Sequence, residues 1–189
     1  MICGKTIDEF LSEIMRFHGF KAPGIVLGGI MVDYCQELIG AGVEADAIVE
    51  SIHCLPDAVQ LFTPCTVGNG WLKVLDWDKY ALSLYNRKTV LGFRIWVDTE
   101  KTKSYPDLYN WYMRLVPKKE LSSERVINAI FTAERNVLSY QAIQITQHSD
   151  RHKKGETGIC SSCGEAYSLK QGTSCLSCQG HCYYIKNPN

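Results

Sequence analysis

Residues 71–97 read WLKVLDWDKYALSLYNRKTVLGFRIWV, and this stretch decides the fold class. Three runs rich in β-branched and aromatic residues, Trp71 to Leu75, Tyr80 to Tyr85 and Val90 to Val97, are separated by polar turns. In the third run Leu91, Phe93, Ile95 and Val97 alternate against Arg94 and Trp96, the period of two that marks a strand with one buried face. Strands joined by short turns pair antiparallel, so the stretch predicts an antiparallel meander.

On either side of the meander the pattern turns helical. Thr6-Ile7-Asp8-Glu9 has capping-box spacing, and Ile7, Phe10, Leu11, Ile14 and Met15 recur at helical intervals until Gly19. Pro23 suits the first turn of a second helix whose stripe, Leu27, Ile30, Met31, Tyr34 and Leu38, ends at Gly40 and Gly42. Gly24 and Gly28 lie one turn apart in it and permit a close backbone approach, for which simple helix packing is sufficient reason. Ile48 to Ile52 is β-rich and runs into His53-Cys54-Leu55-Pro56-Asp57-Ala58, a strand-to-helix junction. That helix is broken at Thr63-Pro64, before the turn-rich segment Cys65 to Gly70. Pro106 and Asp107 open a further helix ended by Pro117, and Ser122 or Ser123 caps a longer one. In the latter, Val126, Ile130, Ala133, Val137 and Tyr140 recur at intervals of three and four, which predicts the longest element of the chain, buried along one face as far as Ile145. The fold class is α+β.

Composition bounds the rest. The chain has 189 residues, 46% of them hydrophobic, enough for one medium core with a small appendage. Its 20 Lys and Arg balance 20 Asp and Glu, so no overall field draws it to nucleic acid or an anionic membrane. The longest apolar stretch, Pro23 to Val32, is about half of what a bilayer-spanning helix requires. Lys5, Asp8 and Glu9 fall where a secretory signal needs its apolar run, and the expected location is cytoplasmic.

Of nine cysteines, five lie between Cys160 and Cys182. Cys160-Ser161-Ser162-Cys163-Gly164 and Cys175-Leu176-Ser177-Cys178 are two C-x2-C knuckles, and in a reducing compartment such a cluster binds metal rather than forming disulfides. Two residues between cysteines let both thiolates of a tight turn face one ion, and two such turns complete a tetrahedral site. Zn2+ fits best, although iron accepts the same four thiolates. So few residues bury little apolar surface, which makes the metal structural. His181 and Cys182 are read as neighbours of this closed site. The expected organisation is a core over residues 1–149, a polar linker over 150–157 and a four-cysteine zinc-finger module over 158–189.

Within the core, Cys54 precedes a helix start, where the helix dipole favours a thiolate, Cys65 follows the same helix, and His18 lies on the apolar face of the first. Cys54 and His18 are the candidates for catalysis. Together His18, Cys54 and Cys65 form a candidate soft ligand set for a second transition metal if the fold converges them, and for each alone a buried structural role is the competing reading. Asp57, Gln60 and Thr66 are candidates to orient such ligands. Cys3 and Cys35 read as terminal and core positions.

These motifs resemble a known family. Phe17-His18-Gly19-Phe20-Lys21-Ala22-Pro23-Gly24 resembles the Phe-His-Gly-His-x-Cys-Pro-Gly segment of the FmdE family, named for one of the subunits of formylmethanofuran dehydrogenase. Cys54-Leu55-Pro56-Asp57-Ala58-Val59-Gln60, Pro64-Cys65-Thr66-Val67-Gly68-Asn69-Gly70 and the terminal knuckles are similar to further family motifs in the same order. The resemblance implies an α+β core with helices packed on a curved antiparallel sheet, an auxiliary treble-clef zinc finger, dimerisation and a prokaryotic setting. It also implies association with a molybdenum or tungsten formylmethanofuran dehydrogenase of methanogenesis, as at most an accessory subunit, with the redox chemistry in its partner. The sequence departs from the family at Phe20 and Ala22, where the motif has His and Cys, so two of its metal-ligating residue types are missing.

Two other readings compete. In one, the core is inert and the finger with the preceding helix builds a homodimer or docks onto a larger enzyme. In the other, Arg151, Lys153 and Lys154 beside the finger, with Tyr167, Tyr183 and Tyr184, contact nucleic acid; a short charge run is more simply a solvated linker.

Overall fold

In a computed structural model of the chain, which describes residues 1–117, 119–146 and 155–184, Thr6 caps the first helix as its sequence requires. The Thr6 hydroxyl accepts from the Glu9 amide (3.3 Å), and the Glu9 carboxylate accepts from the Thr6 amide (2.8 Å). The helix, α1 (Ile7–His18), ends at Gly19, whose φ of 89° only glycine adopts freely. It buries Phe10 and Ile14, and Phe10 stacks on Phe62 with ring centroids 4.8 Å apart. Next, α2 (Pro23–Ile39) is buried without interruption from Pro23 to Val32. A helix apolar on every side belongs in the middle of a core, and at 17 residues α2 is the longest element among the described residues. A Cβ on Gly24 would lie 2.8 Å from the Cys54 Cβ and Sγ, and one on Gly28 would lie 2.7 Å from the Ala58 Cβ. The two glycines therefore seat α2 against α3 (Leu55–Phe62).

The sheet contains β1 (Ala45–Val49), β2 (Leu72–Val74), β3 (Ala81–Asn86), β4 (Leu91–Val97) and β5 (Leu138–Gln144) in the order β2-β1-β3-β4-β5. Strands β1, β3, β4 and β5 are antiparallel to their neighbours in that series, while β2 runs parallel to β1 with Ala47 opposite Leu72. The expected antiparallel meander is thus corrected to a mixed sheet. The reason is α3, a crossover that returns the chain beside β1 in the same direction and places β1 between β2 and β3. Strand β1 also begins earlier than Ile48, because Asp46, though buried, is held by the Arg87 guanidinium (2.7 Å). Glu50, just past the strand, is held likewise by Arg94 through both carboxylate oxygens (2.6 and 2.7 Å).

A second correction concerns the helix predicted to reach Ile145. Helix α6 (Ser123–Ala133), capped by the Ser122 hydroxyl, stops at Glu134, whose φ of 46° and ψ of −127° are not helical. A 3-10 turn (Glu134–Val137) follows, and then β5 pairs residue for residue with β4 from Leu138 opposite Val97 to Gln144 opposite Leu91. Val126, Ile130, Ala133 and Val137 are buried as their spacing predicts, but Tyr140 lies on the sheet, edge-on to Tyr34. The backbone groups along β4 require a partner strand, and that requirement outweighs a helical spacing continued by one residue. Between β4 and α6, Asp98 caps the short α4 (Thr99–Thr102), and α5 (Pro106–Tyr112) begins at its proline.

The chain divides into two compact units, Met1–His148 and Ser149–Asn189. The second contains the hairpin of β6 (Thr157–Ile159) and β7 (Ala166–Ser168) and a short turn at Ser177–His181 interrupted by Gly180. Most of the expected linker, including Arg151, Lys153 and Lys154, and the last five residues of the expected module lie outside the described residues. Among the described residues no helix is long and apolar enough to cross a membrane.

Candidate metal centre and the core junction

The hairpin β6–β7 turns through the first knuckle. The Cys160 amide donates to the Glu165 carbonyl (2.9 Å) and the Gly164 amide to the Cys160 carbonyl (2.8 Å), with Gly164 at a φ of 77°. The second knuckle begins a turn in which the Gln179 amide donates to the Cys175 carbonyl (3.1 Å). Between them the sulfurs of Cys160, Cys163, Cys175 and Cys178 all lie within 4.8 Å of one another. Those of Cys163 and Cys175 are 3.7 Å apart, which is the separation of about 3.8 Å that four sulfurs at Zn–S bonds of about 2.3 Å require in a tetrahedron. Cys160 and Cys175 are buried, while Cys163 and Cys178 face solvent. The backbone amides of Cys175, Cys163 and Ser162 aim at the Cys160 sulfur and pull its thiol down to about 6. Its neighbours Cys175 and Cys163 push Cys178 up to about 12 through the hydrogen bonds that their sulfurs share with it. Cys182, whose thiol donates to the Tyr184 carbonyl (3.3 Å), is outside the set, as is His181.

In the core, the C-terminal end of α1 and the N-terminal ends of α2 and α3 meet. The His18 Nδ1 and Asp57 Oδ2 are 2.8 Å apart, and Phe20 lies against the imidazole at 4.6 Å between centroids. Asp57 thus orients the His18 ring. Cys54 is the N-cap of α3, with a φ of 55° and its side chain against Gly24. The Tyr80 hydroxyl, inserted beside it, donates to the Gly24 carbonyl. Burial, then Cys54, then Tyr112 push the Tyr80 phenol well above its ordinary value, which keeps it a donor. Replacing it, as Tyr80→Phe, is expected to cost about 1 kcal/mol in urea unfolding, since a fitted hydroxyl is lost from a packed junction. An unchanged midpoint would mean that the hydroxyl is not seated there. Tyr80 was not identifiable in the sequence, where it reads only as the first residue of a strand.

Cys65 does not join this junction. It follows α3, whose eight residues extend about 12 Å, and its thiol donates to the Ala45 carbonyl at the start of β1 (3.3 Å). Burial raises its pKa, as expected of a neutral packed thiol. The set His18, Cys54 and Cys65 is therefore not brought together. Among the described residues the one group of three or more such side chains within reach of a single ion is the four cysteines of the second unit. Gln60 and Thr66 have another task, because Gln60 accepts from the Val67 amide and Thr66 exchanges two bonds with Asn69 across the turn after Cys65. Cys35 is a buried core position, and Cys3 is half-buried with its thiol pushed up to about 12 by burial and then by Asp33. The donor set of the core does not fit a resident metal.

Comparison with known proteins bears on both units. Residues 17–147 match the family described as FmdE, molybdenum formylmethanofuran dehydrogenase operon, and residues 151–185 match the FmdE treble clef zinc finger. A crystal structure of a tungsten formylmethanofuran dehydrogenase FmdE-like protein from Syntrophus aciditrophicus superposes with a TM-score of 0.86 at 38% identity, covering 98% of each chain. A protein of Archaeoglobus fulgidus described as a probable S-adenosyl-L-methionine-binding protein is 28% identical over 95% of this chain, which spans only 55% of that relative.

Proposed function

The chain belongs to the FmdE family, and from that premise we propose that it is a cytoplasmic zinc-carrying accessory protein of molybdenum or tungsten formylmethanofuran dehydrogenase-type one-carbon metabolism. The observation that carries the reading is the convergence of four thiols in its treble-clef module. Zn2+ bound by Cys160, Cys163, Cys175 and Cys178 is structural, since four thiolates leave no open position for a substrate. The association with the dehydrogenase is supported by the description of the family and of the Syntrophus relative. In this reading the partner performs the redox chemistry of methanogenesis, and this chain supplies a docking body.

Elemental analysis and gel filtration test it. The purified chain is expected to carry one equivalent of zinc, lost in the double variant Cys175→Ser, Cys178→Ser. Mixed with a molybdenum or tungsten formylmethanofuran dehydrogenase depleted of its own FmdE chain, it is expected to co-elute. Undiminished zinc in the double variant would refute the metal assignment, and separate elution would refute the docking.

A further inference from the structure

The four thiols of the second unit differ in what can reach them. Cys160 and Cys175 are buried in one cluster with Tyr167, while Cys163 and Cys178 face solvent, as does Cys182 outside the set. Each knuckle therefore offers one sulfur to a small solute and keeps the other inside. The exposed Cys163 sulfur lies 3.7 Å from the buried Cys175 sulfur, on the other knuckle. A disulfide of about 2 Å between them requires an approach of less than about 2 Å, a movement within reach of side-chain torsions. A thiol that coordinates zinc is deprotonated, and the thiolate is the form that attacks an oxidant.

Resting on the zinc assignment above, we propose that Cys163 and Cys175 form an oxidation site for hydroperoxides, through which the module releases its metal. The Cys163 thiolate attacks one peroxide oxygen and the O–O bond breaks. Cys163 then carries a sulfenic acid, and the other oxygen leaves as hydroxide. Displacement at a sulfenic sulfur is in line, so the second thiolate must attack from the side opposite the new oxygen. The oxygen arrives from solvent, and the opposite side is the interior of the set, where the Cys175 sulfur stands. As the Cys175 thiolate attacks, the S–S bond forms, the S–O bond breaks and a second hydroxide leaves. The two sulfurs have passed two electrons to the peroxide, and two protons from solvent turn the hydroxides into water. Cys178 shares the exposure, but the 3.7 Å contact belongs to Cys163. Two thiolates then remain where a structural site requires four, so the ion departs and the free energy that orders the module departs with it. The module is thus folded only in reducing surroundings. A thiol reductant cleaves the disulfide and lets zinc return.

Titration of the zinc-loaded full chain with hydrogen peroxide, in the presence of a chromogenic zinc indicator, tests the proposal. Disulfides are mapped afterwards by alkylation, proteolysis and mass spectrometry. The expected result is release of one equivalent of zinc together with a link between Cys163 and Cys175, both reversed by dithiothreitol and one equivalent of Zn2+. Cys182 is exposed but outside the set, so Cys182→Ser is expected to keep its zinc before treatment and release it as the unmutated chain does. Zinc retained by a chain whose Cys182 has been oxidised would overturn the proposal and leave the metal assignment intact. A chain without zinc before treatment would instead refute the metal assignment, and the proposal with it. A link that contains Cys178 or Cys182, or loss of the release in Cys182→Ser, would also overturn the assignment of the pair.

Discussion

Removing zinc with a strong chelator is expected to unfold residues 155–184 while the tryptophan emission stays that of the native chain. The cause is the size of the module's interior. Among the described residues its buried apolar cluster consists of Cys160, Tyr167 and Cys175, two of which belong to the four-thiol set. The remaining support is local, such as the Tyr167 hydroxyl on the Gly172 carbonyl (3.0 Å) and the Gln179 amide group on the Gln171 carbonyl (2.8 Å). Such a unit cannot offset the conformational entropy of its ordered residues by burial, whereas binding of structural zinc contributes about 10–16 kcal/mol at neutral pH. The readout separates the two units, because Trp71, Trp77, Trp96 and Trp111 all belong to Met1–His148. In a two-dimensional amide spectrum, the resonances of the hairpin and the second knuckle should collapse on chelation and return on addition of one equivalent of Zn2+. Retention of their dispersion without metal would show that the thiols are held by the fold and not the reverse.

The contrast between this module and the core shows what kinds of information a sequence carries openly. The cysteine spacing is local, since each knuckle places two ligands by its own turn, and only the meeting of two turns is left to the fold. The capping box of Thr6 and Glu9, the stop at Gly19 and the proline starts of α2 and α5 are local in the same sense. The position of β2 is not. Its three residues are placed by a crossover through α3, and their own alternation does not distinguish a parallel partner from an antiparallel one. The start of strand β1 is obscured by Asp46, because a polar residue reads as surface unless the distant arginine that pairs with it is known. The passage from α6 to β5 was hidden by coincidence, since Tyr140 continues a helical spacing although it lies on a strand. In the core junction, the sequence placed His18, Cys54 and Asp57 near helix ends, and the fold does bring the His18–Asp57 pair and Cys54 to the start of α3. It could not reveal that the Cys65 thiol bonds the Ala45 carbonyl at the start of β1, or that Tyr80 fills the space beside Cys54.

Gly92→Ala is expected to destabilise the first unit by about 3 kcal/mol, since of the described glycines it is the one whose added Cβ would meet a neighbour most closely. Gly92 is buried in β4 opposite Tyr85, and a Cβ there would lie 2.1 Å from the Leu84 carbonyl oxygen and 2.5 Å from the Tyr85 Cα. Both atoms are backbone of the neighbouring strand. A flexible side chain can rotate out of such a contact, but a strand hydrogen-bonded on both sides can yield only by parting from one of them. Gly42 is the control, because a Cβ there meets no atom within 4 Å, and its φ of 77° alone makes Gly42→Ala cost about 1 kcal/mol. Thermal unfolding followed by tryptophan emission should therefore show a fall of roughly 10 °C for the first variant and a few degrees for the second. Equal falls would mean that backbone conformation, and not the close approach of β3 and β4, is what the glycine serves. The consequence extends to the sheet edge. Gly92 pairs with Ile143 on its other side, so a displaced β4 carries β5 with it. In Gly92→Ala the amides of Gln141 and Ile143, which face β4, should exchange faster together with those of β3, whereas in Gly42→Ala they should keep their native protection.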